Sequence, residues 1–258
     1  MKSNVIILGM ARSGTSLAAS IFANQGYFVA DTKTSNLQAA DEYNPSGYWE
    51  CSHLMDYNKE ILAAAGFIHD NTWFHQAISQ HQVDAIKDIK PSTKHINFIK
   101  KFNDKSPWLW KDPRLCYTLE YWWPLLNHQN TKVLHVTRNP DEIYDSFIRV
   151  SKEWETSIEM DKNTILDRIE KHVTSASRIL NNYNIPHVSI EYSDYVTKPK
   201  EIVEKLNKFF LINLTVADLG FRKQSKRNRR FKRYLQHAKK FFKSLILSAF
   251  SNKIKPSE

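Results

Sequence analysis

The octapeptide GMARSGTS, residues 9–16, follows the apolar run VIIL and holds two glycines five positions apart. When a Gly-x-x-x-x-Gly loop opens a helix, its backbone N–H groups point at an anion and the helix dipole adds favourable charge. The hydroxyl groups of Thr15 and Ser16 are further donors, and Arg12 is the only cation in the loop. The loop therefore predicts a binding site for a phosphate group.

The position after the second glycine decides which phosphate ligand fits. In ATP-binding loops of this spacing it is a lysine, which reaches the β- and γ-phosphates. Here the position is Thr15, so the loop favours a ligand with fewer oxyanions than a triphosphate. A P-loop kinase that uses Mg²⁺ and ATP on a small molecule stays open as an alternative enzyme class.

Two more polar clusters follow strand-like runs. The tetrapeptide KDPR, residues 111–114, follows WLW, and RNPDEIYDS, residues 138–146, follows VLHVT. In an open parallel sheet, ligands collect beyond the carboxyl ends of the strands, where loops turn into helices. We therefore expect the three clusters to lie around one site.

The elements that would position these clusters alternate along the chain. Buried strand character occurs at residues 4–8, 108–110, 133–137 and 187–190, with a short fifth run at 26–30, and helical patterns separate the runs. One of the predicted helices is long, at residues 82–102. The alternation predicts an α/β fold with a central parallel β-sheet covered by helices on both faces.

The first and third clusters together resemble sulfotransferases that use 3′-phosphoadenosine 5′-phosphosulfate (PAPS). ARSGTS is similar to that family's 5′-phosphosulfate loop. RNPDEIYDS resembles its 3′-phosphate signature, in which an arginine at a strand end and a serine on the next helix grip the phosphate. Here those residues are Arg138 and Ser146, at the family spacing.

Two weaker similarities extend the resemblance over roughly residues 4–223. KDPR resembles the lysine-bearing segment of the family, particularly that of tyrosylprotein sulfotransferases, and IEYSDY, residues 190–195, is similar to the segment near the adenine. The resemblance implies a three-layer, P-loop-like sulfotransferase domain that transfers a sulfuryl group from PAPS to a hydroxyl group and releases PAP, without a metal ion.

The resemblance also implies roles for particular residues. Arg12 and Lys111 would stabilise charge on the leaving oxygens during transfer. The implied nucleotide contacts are Arg12, Ser13, Gly14, Thr15 and Ser16 at the 5′ end, Arg138 and Ser146 at the 3′-phosphate, and Tyr192 near the adenine.

The acceptor hydroxyl needs a general base. Small-molecule members of the family carry a histidine two positions after the lysine, but Pro113 stands there in this chain. NPSGYWE, residues 44–50, resembles a stretch of bacterial members, and it makes Glu50 the first candidate for the base. Glu42, His53 and Asp112 remain alternatives. A glutamate base would imply a sugar or protein hydroxyl as the acceptor, so a carbohydrate or glycolipid is expected.

The charge is concentrated at the end of the chain. From Arg222 onward there are thirteen Lys and Arg residues and one acidic residue, whereas the preceding 221 residues hold 24 basic and 26 acidic ones. We expect a sulfotransferase domain at residues 1–221 and a basic, amphipathic helical tail at 222–258. Such a tail suits an anionic membrane surface, and a helix docked on the domain is the alternative.

The cysteine count and the lengths of the apolar runs argue against several other classes of protein. The chain has two cysteines, which make neither a disulfide framework nor a metal site, and its apolar runs are too short for a signal peptide or a transmembrane helix. We expect a cytoplasmic protein with no metal and no nucleic acid partner, and the basic tail makes the inner face of a membrane a second expected location. A nucleotide-binding adaptor without catalysis is the alternative that is not an enzyme.

Overall fold

The computed structural model describes residues 2–31, 37, 44, 47–67, 79–153 and 161–220. All of them belong to one compact unit, Met1–Gly220. Glu42 and the basic tail lie outside the described residues, so the predicted division at residue 221 stays a prediction.

The unit alternates strands and helices. The strands are β1 (Asn4–Leu8), β2 (Leu109–Lys111), β3 (Thr131–Thr137) and β4 (His187–Glu191). The helices are α1 (Thr15–Asn24), α2 (Ser52–Ala64), α3 (Gln80–Ala85), α4 (Thr93–Asn103), α5 (Leu115–Trp122), α6 (Pro140–Glu153), α7 (Lys162–Asn182), α8 (Asp194–Thr197) and α9 (Pro199–Phe210). Short 3₁₀ turns follow α3, α5 and α9, at Ile86–Asp88, Trp123–Leu125 and Val216–Leu219.

The four strands form one parallel sheet in the order β2-β1-β3-β4. Ile7 pairs with Lys111 on one side of β1, and Leu8 pairs with His135 on the other. The ends of β1, β2 and β3 therefore lie side by side, and the loops after them leave the sheet at one edge. This arrangement confirms the predicted α/β fold with a parallel sheet flanked by helices.

Aromatic packing fixes the direction of α4 against the edge strand β2. The ring of Phe98 stacks on Trp110 with centroids 5.5 Å apart, and Phe102 meets Trp108 edge-on at 6.0 Å. The earlier residue of α4, Phe98, thus faces a residue within β2, and the later one, Phe102, faces the residue just before the strand, so the helix runs antiparallel to the strand. The first turn of α4 lies toward the carboxyl end of β2.

Two sequence predictions differ from the structure. The helix predicted at residues 82–102 is broken into α3 and α4, because Pro91 lacks a backbone N–H and disfavours helical backbone in the residue before it. Ser92 then caps α4 by accepting a hydrogen bond from the backbone N–H of His95. The strand predicted at 26–30 is a single bridge, between Phe28 and Trp108.

No helix within the described residues is long and apolar enough to cross a membrane.

Candidate functional site

The loop between β1 and α1 turns sharply at two residues with positive φ, Arg12 at 69° and Gly14 at 100°. A Cβ on Gly14 would lie 2.3 Å from the ring of Tyr192, so only glycine fits there. Gly14 is also the N-cap of α1 and provides no side-chain cap. The first N–H groups of α1 therefore need acceptors from elsewhere, and an anion at the loop would supply them.

Ser13 shapes this loop from inside. Its side chain is buried, and its hydroxyl donates to the carbonyl oxygen of Met10 at 2.6 Å. The hydroxyl does not line the cleft described below. The family resemblance implied that Ser13 contacts the nucleotide, but a sequence motif does not show which way a hydroxyl group points.

A direct contact joins the β1 loop to the third cluster. The Nε of Arg12 donates to the hydroxyl of Ser146 at 3.2 Å, and Arg138 donates from Nη1 to the carbonyl oxygen of Arg12 at 3.0 Å. Arg138 also donates to Glu142 at 2.8 Å, one turn along α6. Residues 126 and more positions apart thus meet, as expected from loops that follow adjacent strands.

Tyr192, which directly follows β4, completes this region. The guanidinium of Arg138 lies 4.4 Å from the centre of the Tyr192 ring, a cation–π distance. The resulting cleft has a volume of about 150 Å³. Its lining consists of Arg12, Gly14, Thr15, Ser16, Leu17, Asn44, Arg138, Ser146 and Tyr192. Seven of these nine residues are among the eight predicted nucleotide contacts. Leu17 and Asn44 were not predicted.

Glu50 and Lys111 form a buried pair near the end of β2. The Lys111 ammonium donates to Glu50 Oε1, and the two side chains are 3% and 8% exposed. Burial raises the pKa of Glu50, and the Lys111 charge opposes that rise. The preceding residue, Trp49, has a left-handed φ of 58°, a conformation that costs about 1–3 kcal/mol and often marks functional sites.

Asp112, another candidate for the base, accepts hydrogen bonds from neighbouring groups at both of its oxygens. Its Oδ1 accepts from the backbone N–H and from Nη1 of Arg114, each at 3.0 Å, and its Oδ2 accepts from the amide of Asn58 at 2.8 Å. The residue is 1% exposed. These three bonds favour a structural role for Asp112, which holds the loop after β2 in place.

Asn58 is the residue that the sequence analysis missed. It is fully buried on α2, and its Oδ1 accepts from Thr118 Oγ1 and from Trp122 Nε1, both at 2.8 Å. One amide thus ties α2 and α5 to the loop that begins directly after Lys111. The available signal was an asparagine within the stripe Leu54, Asn58, Ile61 and Leu62, the buried face of α2.

Two candidates for the general base remain, His53 and Glu42, and the structure describes only His53. His53, in the first turn of α2, has its ring 6.3 Å from that of Tyr57 in a stacked arrangement and lines a separate, larger cavity. Glu42 lies outside the described residues. Within the described part of the chain, no group of three His, Cys, Asp or Glu residues could hold a metal ion.

Comparisons with known proteins agree with this geometry. One solved structure, titled "Sulfotransferase Domain from the Curacin Biosynthetic Pathway", is similar in fold with a TM-score of 0.51 and 16% identity, over 88% of this chain and 80% of that chain. No curated protein matches the chain. The model of the sulfotransferase family matches residues 4–216, which is most of the chain. The protein belongs to the sulfotransferase family.

Proposed function

We propose that this protein transfers the sulfuryl group of PAPS to a hydroxyl group of a carbohydrate or glycolipid. The observation that carries the proposal is the cleft in which the β1 loop, the start of α6 and Tyr192 meet. It offers two separate sets of anion-binding groups joined by the bond from Arg12 to Ser146. PAPS is a ligand with anionic groups at two separate ends.

The residues in the cleft suit such a nucleotide. The uncapped start of α1, with the hydroxyls of Thr15 and Ser16, would hold the 5′-phosphate. Arg138 and Ser146 would hold the 3′-phosphate, since an arginine gives charge-assisted hydrogen bonds to phosphate oxygens. The ring of Tyr192 would lie near the adenine. The second phosphate site separates this proposal from a kinase site for ATP.

The pair of Glu50 and Lys111 would carry the chemistry. In the proposed reaction, the acceptor oxygen bonds to sulfur as the bond from sulfur to the 5′-phosphate oxygen breaks. PAP leaves, and the proton of the hydroxyl passes to Glu50. Burial increases the basicity of that carboxylate, while Lys111 keeps it ionised. Lys111 and Arg12 would stabilise the charge that develops on the leaving oxygens.

The location of the reaction is part of the proposal. Residues 222–258 contain basic and apolar side chains at spacings that suit an anionic membrane surface. We infer a cytoplasmic enzyme that associates with the inner face of a membrane, where glycolipid or polysaccharide acceptors are assembled.

The proposed nucleotide site predicts a difference between PAP and AMP. Isothermal titration should show that the protein binds PAP more tightly than AMP, because AMP lacks the 3′-phosphate. Substituting Arg138→Gln should weaken PAP binding by about 10- to 100-fold, the value of one hydrogen bond to a charged group, and leave AMP binding within about twofold. Equal affinities for PAP and AMP in the wild type would refute the two-phosphate site.

Transfer itself is tested with Glu50→Gln, which keeps the shape of the side chain. With labelled PAPS and a panel of desulfated glycan and lipid acceptors, the variant should lose about 10²- to 10⁴-fold in transfer rate and keep its PAP affinity. If wild type and variant bind PAP and neither transfers sulfate to any acceptor, the protein is a nucleotide-binding adaptor instead.

A further inference from the structure

Asn44 is a residue of the nucleotide cleft to which neither the family resemblance nor the proposed reaction assigns a role. It lines the cleft together with residues of the β1 loop, and it is partly buried. It comes six residues before Glu50, in a segment that leads directly to the proposed base. A short stretch of chain therefore connects the nucleotide cleft to the pair of Glu50 and Lys111.

The chain between Asn44 and Glu50 limits how far apart the two residues can lie. The backbone N–H of Gly47 donates to the carbonyl oxygen of Asn44 at 2.9 Å, so these two residues are held close together. The remaining three residues span at most about 11 Å when fully extended. Two positive φ angles, 83° at Gly47 and 58° at Trp49, show that this stretch turns instead of extending. Asn44 therefore lies in the part of the cleft that is close to Glu50.

The order of the strands shows which end of the cleft this is. Glu50 pairs with Lys111, the last residue of β2. Arg138 and Tyr192 follow β3 and β4, and β1 lies between β2 and β3 in the sheet. The β1 loop thus separates the Glu50 side from the proposed site for the 3′-phosphate. A segment that is tied to Glu50 enters the cleft from the β2 side, at the opposite end from that site.

The two arginines of the cleft make contacts toward the other end. Arg12 donates from Nε to Ser146 on α6, and Arg138 donates to Glu142 on the same helix. Both guanidinium groups thus contact the helix that carries the proposed 3′-phosphate site. Asn44 is a polar side chain of the cleft that the chain brings to the β2 side.

The sulfuryl group is the part of PAPS that has to lie between the 5′-phosphate and the acceptor. In the proposed reaction, the start of α1 holds the 5′-phosphate and Glu50 takes the proton of the acceptor hydroxyl. The side-chain amide of an asparagine offers two N–H donors to anionic oxygens. Its nitrogen is a poor nucleophile, unlike a hydroxyl group or a free amine, so it can lie beside the sulfur without being sulfated.

We propose that Asn44 donates a hydrogen bond from its side-chain amide to a sulfuryl oxygen of PAPS and orients that group toward the acceptor beside Glu50. The inference adds a binding and positioning residue, and it rests on the proposed function for the identity of the sulfuryl donor. The amide transfers no proton, so the bonds that form and break are those of the proposed reaction. Orientation of the reacting group contributes directly to the rate.

Two nucleotides that differ only in the sulfuryl group test the contact without turnover. Adenosine 5′-phosphosulfate and AMP are titrated calorimetrically into the full-length protein, with no acceptor present. Asn44→Leu keeps approximately the size of the side chain and removes both donors. It should weaken binding of the phosphosulfate by about 10- to 100-fold, the value of one hydrogen bond to a charged group, and change AMP binding by less than about threefold.

The matched control is Asn24→Leu, the same substitution at an exposed position at the end of α1 that does not line the cleft. It should leave the affinities for both nucleotides within about twofold of the wild type. The AMP affinity of Asn44→Leu reports whether the cleft is intact. Equal losses for the two nucleotides would assign Asn44 to the 5′-phosphate or to the shape of the cleft, and they would overturn the inference. No loss for either nucleotide would overturn it as well.

The two proposals fail separately. If the wild type prefers PAP to AMP and transfers sulfate, but Asn44→Leu leaves the affinity for adenosine 5′-phosphosulfate unchanged, the Asn44 inference alone is wrong. If Asn44→Leu selectively weakens that ligand and PAP shows no preference over AMP, the sulfuryl contact stands and the proposed 3′-phosphate site is wrong. A wild type that binds none of these nucleotides would overturn both.

Discussion

Glu50 and Lys111 illustrate what burial does to single charged residues. An unpaired carboxylate at this depth would be protonated, because removal from water penalises the charged form. Lys111 compensates part of that penalty, so its ammonium favours the ionised carboxylate while burial raises the pKa of that carboxylate. A general base needs both properties, since it must be free of a proton before the reaction and attract one during it.

Two buried histidines make the stability of the protein depend on pH. Burial lowers the pKa of His172 from 6.5 to about 4, and that of His135 likewise to about 4. As the pH falls below 6.5, the unfolded chain takes up protons that the folded state refuses. The stability that these neutral histidines preserve is therefore fully present above about pH 6.5 and is lost progressively down to about pH 4.

Urea unfolding between pH 7 and pH 5 measures this dependence. The free energy of unfolding should fall by up to about 1.4 kcal/mol per pH unit for each of the two histidines. His172→Phe keeps a ring beside Tyr117 and should remove one histidine's share of the slope. His81→Phe is the control, because His81 is exposed and meets water in both states. A slope that His172→Phe leaves unchanged would contradict the assignment.

At the scale of elements, the loop after β2 depends on α2 and α5. Asn58 bonds Asp112, Thr118 and Trp122, so the loop that follows Lys111 is held by two helices, one that precedes it and one that follows it in the chain. The network is fully enclosed, and each bond is therefore formed without competition from water. Such a network positions Lys111, to which the proposed reaction assigns a catalytic role, through contacts among protein side chains.

The substitution Asn58→Asp tests the network with almost no change in volume. It replaces the donor that faces Asp112 with a second carboxylate, and two buried like charges should destabilise the fold by about 3–5 kcal/mol. Asp56→Asn, on an exposed turn of the same helix, should change stability by less than about 0.5 kcal/mol. Urea unfolding compares the free energies of unfolding of the two variants. A loss below about 1 kcal/mol for Asn58→Asp would contradict the cost expected for two buried carboxylates.

The sequence predicted the elements better than the contacts between them. Residues 4–8 and 162–182 form a strand and a helix with the predicted bounds, because their apolar periodicity is local. The pattern at 82–102 continues through a proline, and apolar spacing alone does not register the break. The family resemblance supplied seven of the nine residues that line the cleft after β1, but it did not supply Leu17 or Asn44. The three hydrogen-bond partners of Asn58 lie 54 or more positions from it in the chain, so only the folded structure reveals them.

At the scale of the whole molecule, the net positive charge is concentrated in the tail, residues 222–258. The first 221 residues are close to neutral, whereas the thirteen basic residues from Arg222 onward make the terminal segment strongly cationic. Phe241, Phe242, Leu245, Ile246, Ala249 and Phe250 have spacings that line one face of a helix. A basic helix with one apolar face inserts that face into an anionic bilayer surface.

Sedimentation of the full-length chain with vesicles tests the tail. The wild type should bind vesicles that contain phosphatidylserine and not vesicles of phosphatidylcholine alone, and high salt should weaken the binding. Phe241→Asp/Phe242→Asp should reduce the binding by at least about a hundredfold, because burial of each phenylalanine contributes about 1.5–3 kcal/mol. Ser244→Asp/Ser251→Asp adds the same charge on the opposite face and should lose only the electrostatic part. Equal losses in the two variants would mean that charge alone attracts the tail, and a wild type that does not sediment would favour a helix docked on the domain.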